Sequence, residues 1–121
     1  MTKRKRMKIF RITHGRCFYC GCQLDFNAFH ADHFFAKVKG GKVKDNLVPA
    51  CIDCNLCKWN LDVEGFREKI MNLPYKSNQT RILSKYYGIT GEPIKFYFEE
   101  ADDGDIQNSI NEFLDRQQNY R

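Results

Sequence analysis

Two cysteine pairs constrain the fold of this chain more than any other feature of its sequence. Cys17 and Cys20 are separated by two residues, as are Cys51 and Cys54, and 30 residues lie between the pairs. Four thiolates with this spacing are the usual shell of a structural zinc ion. Disulfides are disfavoured because no secretory signal precedes the cysteines. We therefore predict that these four residues bind one zinc.

Two further cysteines leave the ligand set open. Cys22 follows Cys20 by two residues, and Cys57 forms a second C-x2-C frame with Cys54, so a shifted set of ligands is an alternative. We interpret Cys22 and Cys57 as packing thiols, which is the commoner role of a spare cysteine.

The composition predicts one small globular unit. The chain has 121 residues, 42% of them hydrophobic and 17 of them aromatic, which favours a packed core over disorder. It contains no run of about 18 apolar residues, so no membrane span is predicted. Arg11 interrupts any apolar stretch after the basic N-terminus, and we expect a cytoplasmic protein.

Charge is divided unevenly along the chain. Residues 1–60 carry 12 Lys/Arg against 4 Asp/Glu, whereas residues 61–121 carry 8 against 11. The basic half is also the cysteine half. A positive surface there is typical of a protein that binds a polyanion such as nucleic acid. Solvated lysine loops are the alternative interpretation.

Hydrophobic periodicity and capping residues predict a mixture of helices and short strands. We expect helices within residues 3–13, 51–60, 63–73 and 77–87, strands within 29–35, 47–49 and 94–98, and a last amphipathic helix after Asp102-Asp103-Gly104-Asp105. The predicted fold class is α+β. Asp62 is expected to cap the helix that begins at Val63.

The order of these motifs resembles the HNH endonucleases, whose core is a zinc-stapled ββα-metal fold. The resemblance rests on the two cysteine pairs together with Asp32-His33, Gly40-Gly41, Asn46-Leu47 and Cys54-Asn55-x2-Lys58. It covers roughly residues 10–73. We therefore divide the chain into a nuclease core with a basic N-terminal segment over residues 1–75 and a C-terminal extension of helices and a short strand over residues 76–121.

The resemblance implies a metal-dependent hydrolysis of DNA phosphodiester bonds. His33 would be the general base, Asn46 would steady the loop and strand, and Asp32 and Asn55 would hold one Mg2+ or Mn2+ ion. Hard cations prefer carboxylate and amide oxygens, whereas zinc prefers thiolates, so the two metals would not compete. The expected products carry a 5′-phosphate and a 3′-hydroxyl. The alternative is a catalytically inactive zinc module that binds nucleic acid or a protein partner.

Other residues are weaker candidates. His30 would share a strand face with Asp32 and is a possible accessory residue, although an ordinary strand histidine is the alternative. Predicted contacts to DNA phosphates are Lys37, Lys39, Lys42, Lys44 and Lys58. The family commonly has a proline soon after the Asp-His pair, whereas this chain has Phe34-Phe35-Ala36-Lys37. Phage or mobile-element DNA processing, restriction and homing are all open as biological roles.

The acidic C-terminal segment contains no motif that indicates a chemical function. Residues 91–121 carry 3 Lys/Arg against 8 Asp/Glu, so we do not expect this segment to lie along DNA. It could pack on the core, cover the basic groove, or form a homodimer face through Ile106, Ile110, Phe113 and Leu114. A separate targeting partner is also open, because so short a chain leaves little room for a specificity domain.

Overall fold

The chain folds into helices around one short antiparallel sheet. The computed structural model describes residues 1–35, 46–73, 82, 85, 86 and 94–118. Their elements follow in the order α1 (Lys3–Arg11), β1 (His30–His33), β2 (Leu47–Ala50), α2 (Ile52–Lys58), α3 (Val63–Met71), α4 (Tyr97–Glu100) and α5 (Gly104–Gln118). This mixture confirms the α+β class.

Two of the predicted features lie largely outside the residues that the structure describes. The Gly40-Gly41 loop is outside it, and only residues 82, 85 and 86 of the predicted helix 77–87 are inside it. The predicted boundary between residues 75 and 76 is also outside it. None of the helices described is long and apolar enough to cross a membrane.

Helix α1 begins and ends with contacts that its sequence supplies. Thr2 Oγ1 accepts a hydrogen bond from the Lys5 amide over 3.1 Å, which is an N-cap contact. After the helix, Gly15 has a φ of 85° and its amide donates to the Phe10 carbonyl over 3.1 Å. A Cβ atom at Gly15 would lie 3.0 Å from the Phe10 ring, so glycine suits both the backbone and the space.

The strands β1 and β2 form a hairpin whose register fixes which side chains share a face. His30 pairs with Ala50, Asp32 with Val48, and His33 with Leu47. Side chains alternate along a strand, so His30 and Asp32 project to one side of the sheet while His33 and Leu47 project to the other. Helix α2 follows β2 after Cys51 and contacts the side that carries His30 and Asp32.

The core is built around the turn that carries the first cysteine pair. Phe18 and Tyr19 are fully buried, and Tyr19 lies in edge contact with Phe66 of α3 and with Phe96. The rings of Phe66 and Phe96 stack at 5.2 Å. Segments from both ends of the chain therefore share one aromatic core.

The predicted strand at residues 94–98 is wrong. Residues 94–96 are irregular, and Tyr97 begins the single helical turn α4. The amides of Tyr97 and Phe98 donate to the carbonyls of Tyr19 and Phe18, while Glu99 Oε1 accepts from the Phe96 amide over 2.9 Å. This carboxylate caps the turn, so the alternating aromatic residues pack on the core without an additional strand in the sheet.

Helix α5 packs on the same core. Ile106 and Phe113 are 1% and 4% exposed, whereas Leu114 is 43% exposed. Two of the four apolar residues considered for a dimer face, Ile106 and Phe113, are therefore already buried within the chain. At the start of α5, Asp103 and Asp105 carboxylates lie 3.1 and 3.4 Å from Nε2 of His14 and join this helix to the turn that follows α1.

Candidate active site and metal centre

Four cysteine sulfurs converge beside the sheet. Cys17 and Cys20 come from the first turn, while Cys51 caps α2 and Cys54 lies in its first helical turn. All four sulfur atoms lie within 4.8 Å of one another, and Cys20 Sγ is 3.9 Å from Cys51 Sγ. Tetrahedral zinc with Zn–S bonds of about 2.3 Å requires sulfur separations of about 3.8 Å. The cluster therefore fits a zinc ion.

Hydrogen bonds favour the thiolate form of Cys20 and Cys51, whereas hydrogen bonds with Cys20 and Cys51, together with burial, raise the pKa of Cys17 and Cys54. The amides of Cys20 and Cys51 donate to Cys17 Sγ over 3.5 and 3.4 Å, and the Cys54 amide donates to Cys51 Sγ over 3.4 Å. Hydrogen bonds from the other cysteines, that of Cys17 first, lower the pKa of Cys51. The hydrogen bond with Cys17 also lowers the pKa of Cys20, to about 6. Zinc binds thiolates, so Cys20 and Cys51 are the ligands best prepared for it, and Cys17 and Cys54 would release their protons on binding.

Two residues near the sulfurs had no signal in the sequence. Lys85 Nζ lies 3.7 Å from the sulfurs of both Cys20 and Cys22, and the Tyr86 hydroxyl lies 3.4 Å from Cys54 Sγ. Burial opposes the charge of Lys85, but the neighbouring thiolates raise its pKa overall. This ammonium offsets the negative charge that four thiolates would leave around a divalent zinc.

The spare cysteines lie outside the group of four sulfurs. Cys57 is 5% exposed, and burial raises the pKa of its thiol, which favours the neutral form. Cys22 contacts Lys85. These positions suit the interpretation of both as packing thiols.

A second polar cluster lies where β1 meets α2. Asn55 and Lys58 are three residues apart on α2 and therefore share a face. Asn55 Nδ2 lies 2.7 Å from His30 Nδ1, and Lys58 Nζ lies 3.0 Å from Asp32 Oδ2. The structure thus brings together three predicted site residues and the possible accessory His30.

Lys58 occupies an internal position, which corrects its predicted contact with DNA. Its side chain is 1% exposed, and its ammonium donates to the His33 carbonyl over 2.8 Å as well as pairing with Asp32. DNA phosphates cannot reach an ammonium buried in this way. The other predicted phosphate contacts, Lys37, Lys39, Lys42 and Lys44, lie outside the described residues.

Asp32 is nearly enclosed by protein. It is 5% exposed, and its Oδ2 accepts a hydrogen bond from the Tyr19 hydroxyl as well as the contact with Lys58. Burial raises the pKa of Asp32, although Lys58, Tyr19 and His33 each act in the opposite direction. The sequence did not reveal the contact with Tyr19, because the two residues are 13 positions apart and only the fold brings them together.

His33 and Asn46 lie at the end of the hairpin where the connecting loop joins the strands. Strand alternation places the His33 side chain on the opposite face from Asp32, beside Leu47. Asn46 is 1% exposed, and its side-chain oxygen accepts from the Phe35 amide over 2.9 Å while its carbonyl accepts from the Phe34 amide over 2.9 Å. Asn46 therefore fixes the backbone that follows His33.

Comparison with known proteins gives one match. The family model described as HNH endonuclease matches residues 17–61. No curated protein and no solved structure matches the chain. The matched segment contains the four-cysteine cluster, both strands and α2, whereas α1, α3, α4 and α5 lie outside it.

Proposed function

We propose that the chain is a metal-dependent endonuclease that hydrolyses DNA phosphodiester bonds, from the premise that the family model described as HNH endonuclease matches residues 17–61. One observation within the matched segment carries the proposal. The strand β1 and helix α2 bring His30 and Asp32 against Asn55 and Lys58, next to a cysteine cluster that fits zinc. Metal-assisted hydrolysis needs oxygen donors for the cation, and Asp32 and Asn55 provide them at this junction.

The donor atoms suit a hard divalent cation. Asp32 uses Oδ2 for its contacts with Tyr19 and Lys58, and Asn55 uses Nδ2 for its contact with His30. We assign the remaining side-chain oxygen of each residue, Oδ1, to the cation. When bound, Mg2+ or Mn2+ would offset the negative charge on the phosphate and on the departing 3′ oxygen.

His30 is assigned a positioning role. Its Nδ1 lies 2.7 Å from Asn55 Nδ2, so a neutral imidazole with its proton on Nε2 accepts a hydrogen bond from the amide. This bond determines which way the Asn55 amide faces and turns its carbonyl oxygen away from His30. The amide is thus held with the oxygen available as a ligand.

His33 is assigned the role of general base. A neutral imidazole takes a proton from the water that attacks phosphorus, and the expected products carry a 5′-phosphate and a 3′-hydroxyl. Lys58 holds the His33 carbonyl, and Asn46 holds the amides of the next two residues. These contacts restrain the backbone at His33 and at the two residues that follow it.

A second candidate function is a catalytically inactive zinc module that binds nucleic acid or a partner. The observation in its favour is the buried pair of Lys58 and Asp32, since the ammonium already provides the positive charge that a catalytic cation would provide. Activity of the purified protein separates these two functions.

The deciding experiment is a supercoiled-plasmid assay with zinc-loaded protein and added Mg2+ or Mn2+. We expect the wild-type protein to nick the plasmid, and His33→Ala to reduce the rate about 10²- to 10⁴-fold because the general base is lost. His14→Ala is the matched control: this histidine is 62% exposed and lies outside the junction of β1 and α2, so its variant should keep the wild-type rate.

Two results would contradict the proposal. Metal-dependent nicking that survives His33→Ala would remove His33 from the mechanism. No cleavage of supercoiled, nicked, branched or single-stranded DNA by well-folded protein would favour the inactive module.

A further inference from the structure

The structure contains a basic groove outside the segment matched by the family model. It has a volume of about 1090 Å3 and lies between α1 and α5. Ile9, Ile12, Leu47 and Phe113 provide its apolar lining. Six cationic side chains line the groove: Lys3, Arg4, Lys5, Lys8, Arg11 and Arg116.

The charge of this groove is strongly one-sided. Among its described lining residues Glu112 is the one acid, and it lies 3.5 Å from Arg116. This is unexpected for a wall formed by α5, because the C-terminal segment is acidic overall. The acids Asp103 and Asp105 instead contact His14, outside the groove lining.

Three of the cations form a stripe along α1. Arg4, Lys8 and Arg11 are spaced by four and three residues, so they project from one face of the helix, and all three are exposed. The rise of a helix separates them by about 6 and 4.5 Å along its axis. Arg6 is different, since its guanidinium donates to the carbonyls of Phe26 and Phe29 and serves packing.

The groove also reaches the proposed site. Leu47 belongs to its lining and is the cross-strand partner of His33, on the same face of the sheet. A chain of phosphates lying in the groove would therefore pass the side of the sheet from which His33 projects. The basic stripe and the His33 face of the sheet are thus adjacent, whereas Asp32 and Asn55 lie on the opposite face.

We propose that the groove between α1 and α5 binds the phosphate backbone of double-stranded DNA, with Arg4, Lys8 and Arg11 as the contacts. This inference rests on the proposed nuclease function and extends it to how the substrate is held. One strand of duplex DNA carries one charge per about 3.4 Å of the axis, so a stripe about 10 Å long faces about three phosphates of one backbone. Such contacts hold DNA without reading its sequence.

The test measures binding separately from cleavage. All proteins carry His33→Ala and are loaded with zinc, without Mg2+ or Mn2+, and the probe is a fluorescent 20-base-pair DNA duplex titrated at several salt concentrations. The variants are Lys8→Gln, the triple variant Arg4→Gln/Lys8→Gln/Arg11→Gln, and Lys95→Gln as a matched control. Lys95 is exposed and is not part of the groove lining. Glutamine keeps a helix propensity close to that of lysine and arginine.

Each phosphate contact contributes about 0.9 to the slope of log K against log salt for duplex DNA. We expect Lys8→Gln to reduce the slope by about 0.9 and to weaken binding about eightfold at 0.1 M salt. The triple variant should reduce the slope by about 2.7, and Lys95→Gln should leave it unchanged. Zinc content and circular dichroism equal to those of the parent protein verify that each variant is folded.

Three results would overturn the inference. An unchanged slope in the triple variant would exclude α1 as the phosphate contact. An equal effect of Lys95→Gln would show that net charge alone is responsible. Tighter binding of duplex RNA than of duplex DNA would assign the groove to a different nucleic acid. If instead the binding prediction holds but the plasmid assay shows no cleavage, the groove is a DNA-binding site and the catalytic proposal fails.

Discussion

Asp32 and Lys58 form an ion pair that is almost completely buried. Their side chains are 5% and 1% exposed, and Nζ lies 3.0 Å from Oδ2. Taking both charges out of water is costly, so the pair is tolerable only because each member has further hydrogen bonds. The Tyr19 hydroxyl donates to Asp32, and Lys58 donates to the His33 carbonyl. The buried ammonium of Lys58 thus restrains Asp32 and His33, two neighbouring residues of the proposed site.

Removing one member of this pair should destabilise the folded protein more than removing both charges. Lys58→Met leaves a buried carboxylate without its partner, and we expect the free energy of unfolding to fall by about 3–5 kcal/mol. The double variant Lys58→Met/Asp32→Asn should recover part of that loss, because no buried charge remains. Urea unfolding followed by circular dichroism in excess zinc measures both. Equal losses in the single and double variants would show that the charge of Asp32 is not the cause.

Arg67 connects two elements that are distant in sequence. It lies on α3, is 8% exposed, and donates to the Ile94 carbonyl as well as to Glu64 and Glu99. Its guanidinium also lies 4.9 Å from the centre of the Phe96 ring. Burial opposes the charge of Glu99, but hydrogen bonds from Arg67 and from the Phe96 amide lower its pKa overall. The side chain of Arg67 therefore fixes residues 94–100 against α3.

This connection predicts a pH dependence of defined sign. The pKa of Glu99 is below its ordinary value of 4.5 in the folded protein, so its contribution is complete above pH 4.5 and is lost as the pH falls through the folded value. Glu99→Gln should reduce the free energy of unfolding by about 1–2 kcal/mol at pH 7, after allowance for partial exposure. The difference from the wild type should shrink below pH 4.5.

Denaturant unfolding of the wild type and Glu99→Gln in the same zinc-saturated buffer from pH 7 to pH 3.5 tests this, with the comparison made at the pH values where both proteins retain zinc. Glu64→Gln is the control, because the Glu64 side chain is 79% exposed and an exposed ion pair contributes less than about 1 kcal/mol. A difference between Glu99→Gln and the wild type that grows as the pH falls would contradict the assignment.

For the whole molecule, the four-cysteine cluster joins segments that the sequence keeps far apart. It ties the turn at Cys17 to the start of α2, and the core formed by Tyr19, Phe66 and Phe96 packs around that turn. Residues 94–118 complete this core, so the chain's two ends depend on the same centre. A domain of this size has limited apolar area to bury, so its core alone provides limited stability. A bound metal adds to that stability.

Loss of zinc should therefore unfold the protein. Structural zinc binding contributes about 10–16 kcal/mol, which is comparable to or larger than the about 5–15 kcal/mol total stability of a typical domain. Cys54→Ser should lose the single bound zinc and its cooperative unfolding transition, whereas Cys22→Ala and Cys57→Ala should retain one zinc per chain. Mass-spectrometric zinc content and circular dichroism measure both properties. Loss of zinc from Cys57→Ala would instead show a shifted ligand set.

The sequence by itself determined most of the local elements and indicated which four cysteines come together. Spacings such as Cys17-x2-Cys20, the cap at Asp62 and the period of α3 involve residues within a few positions of one another, and local backbone geometry fixes their consequences. Tertiary structure alone decided that Lys58 is a buried partner of Asp32, that His30 contacts Asn55, and that residues 94–98 form no strand. These outcomes depend on which distant groups meet and how much water they exclude, and a linear pattern contains neither quantity.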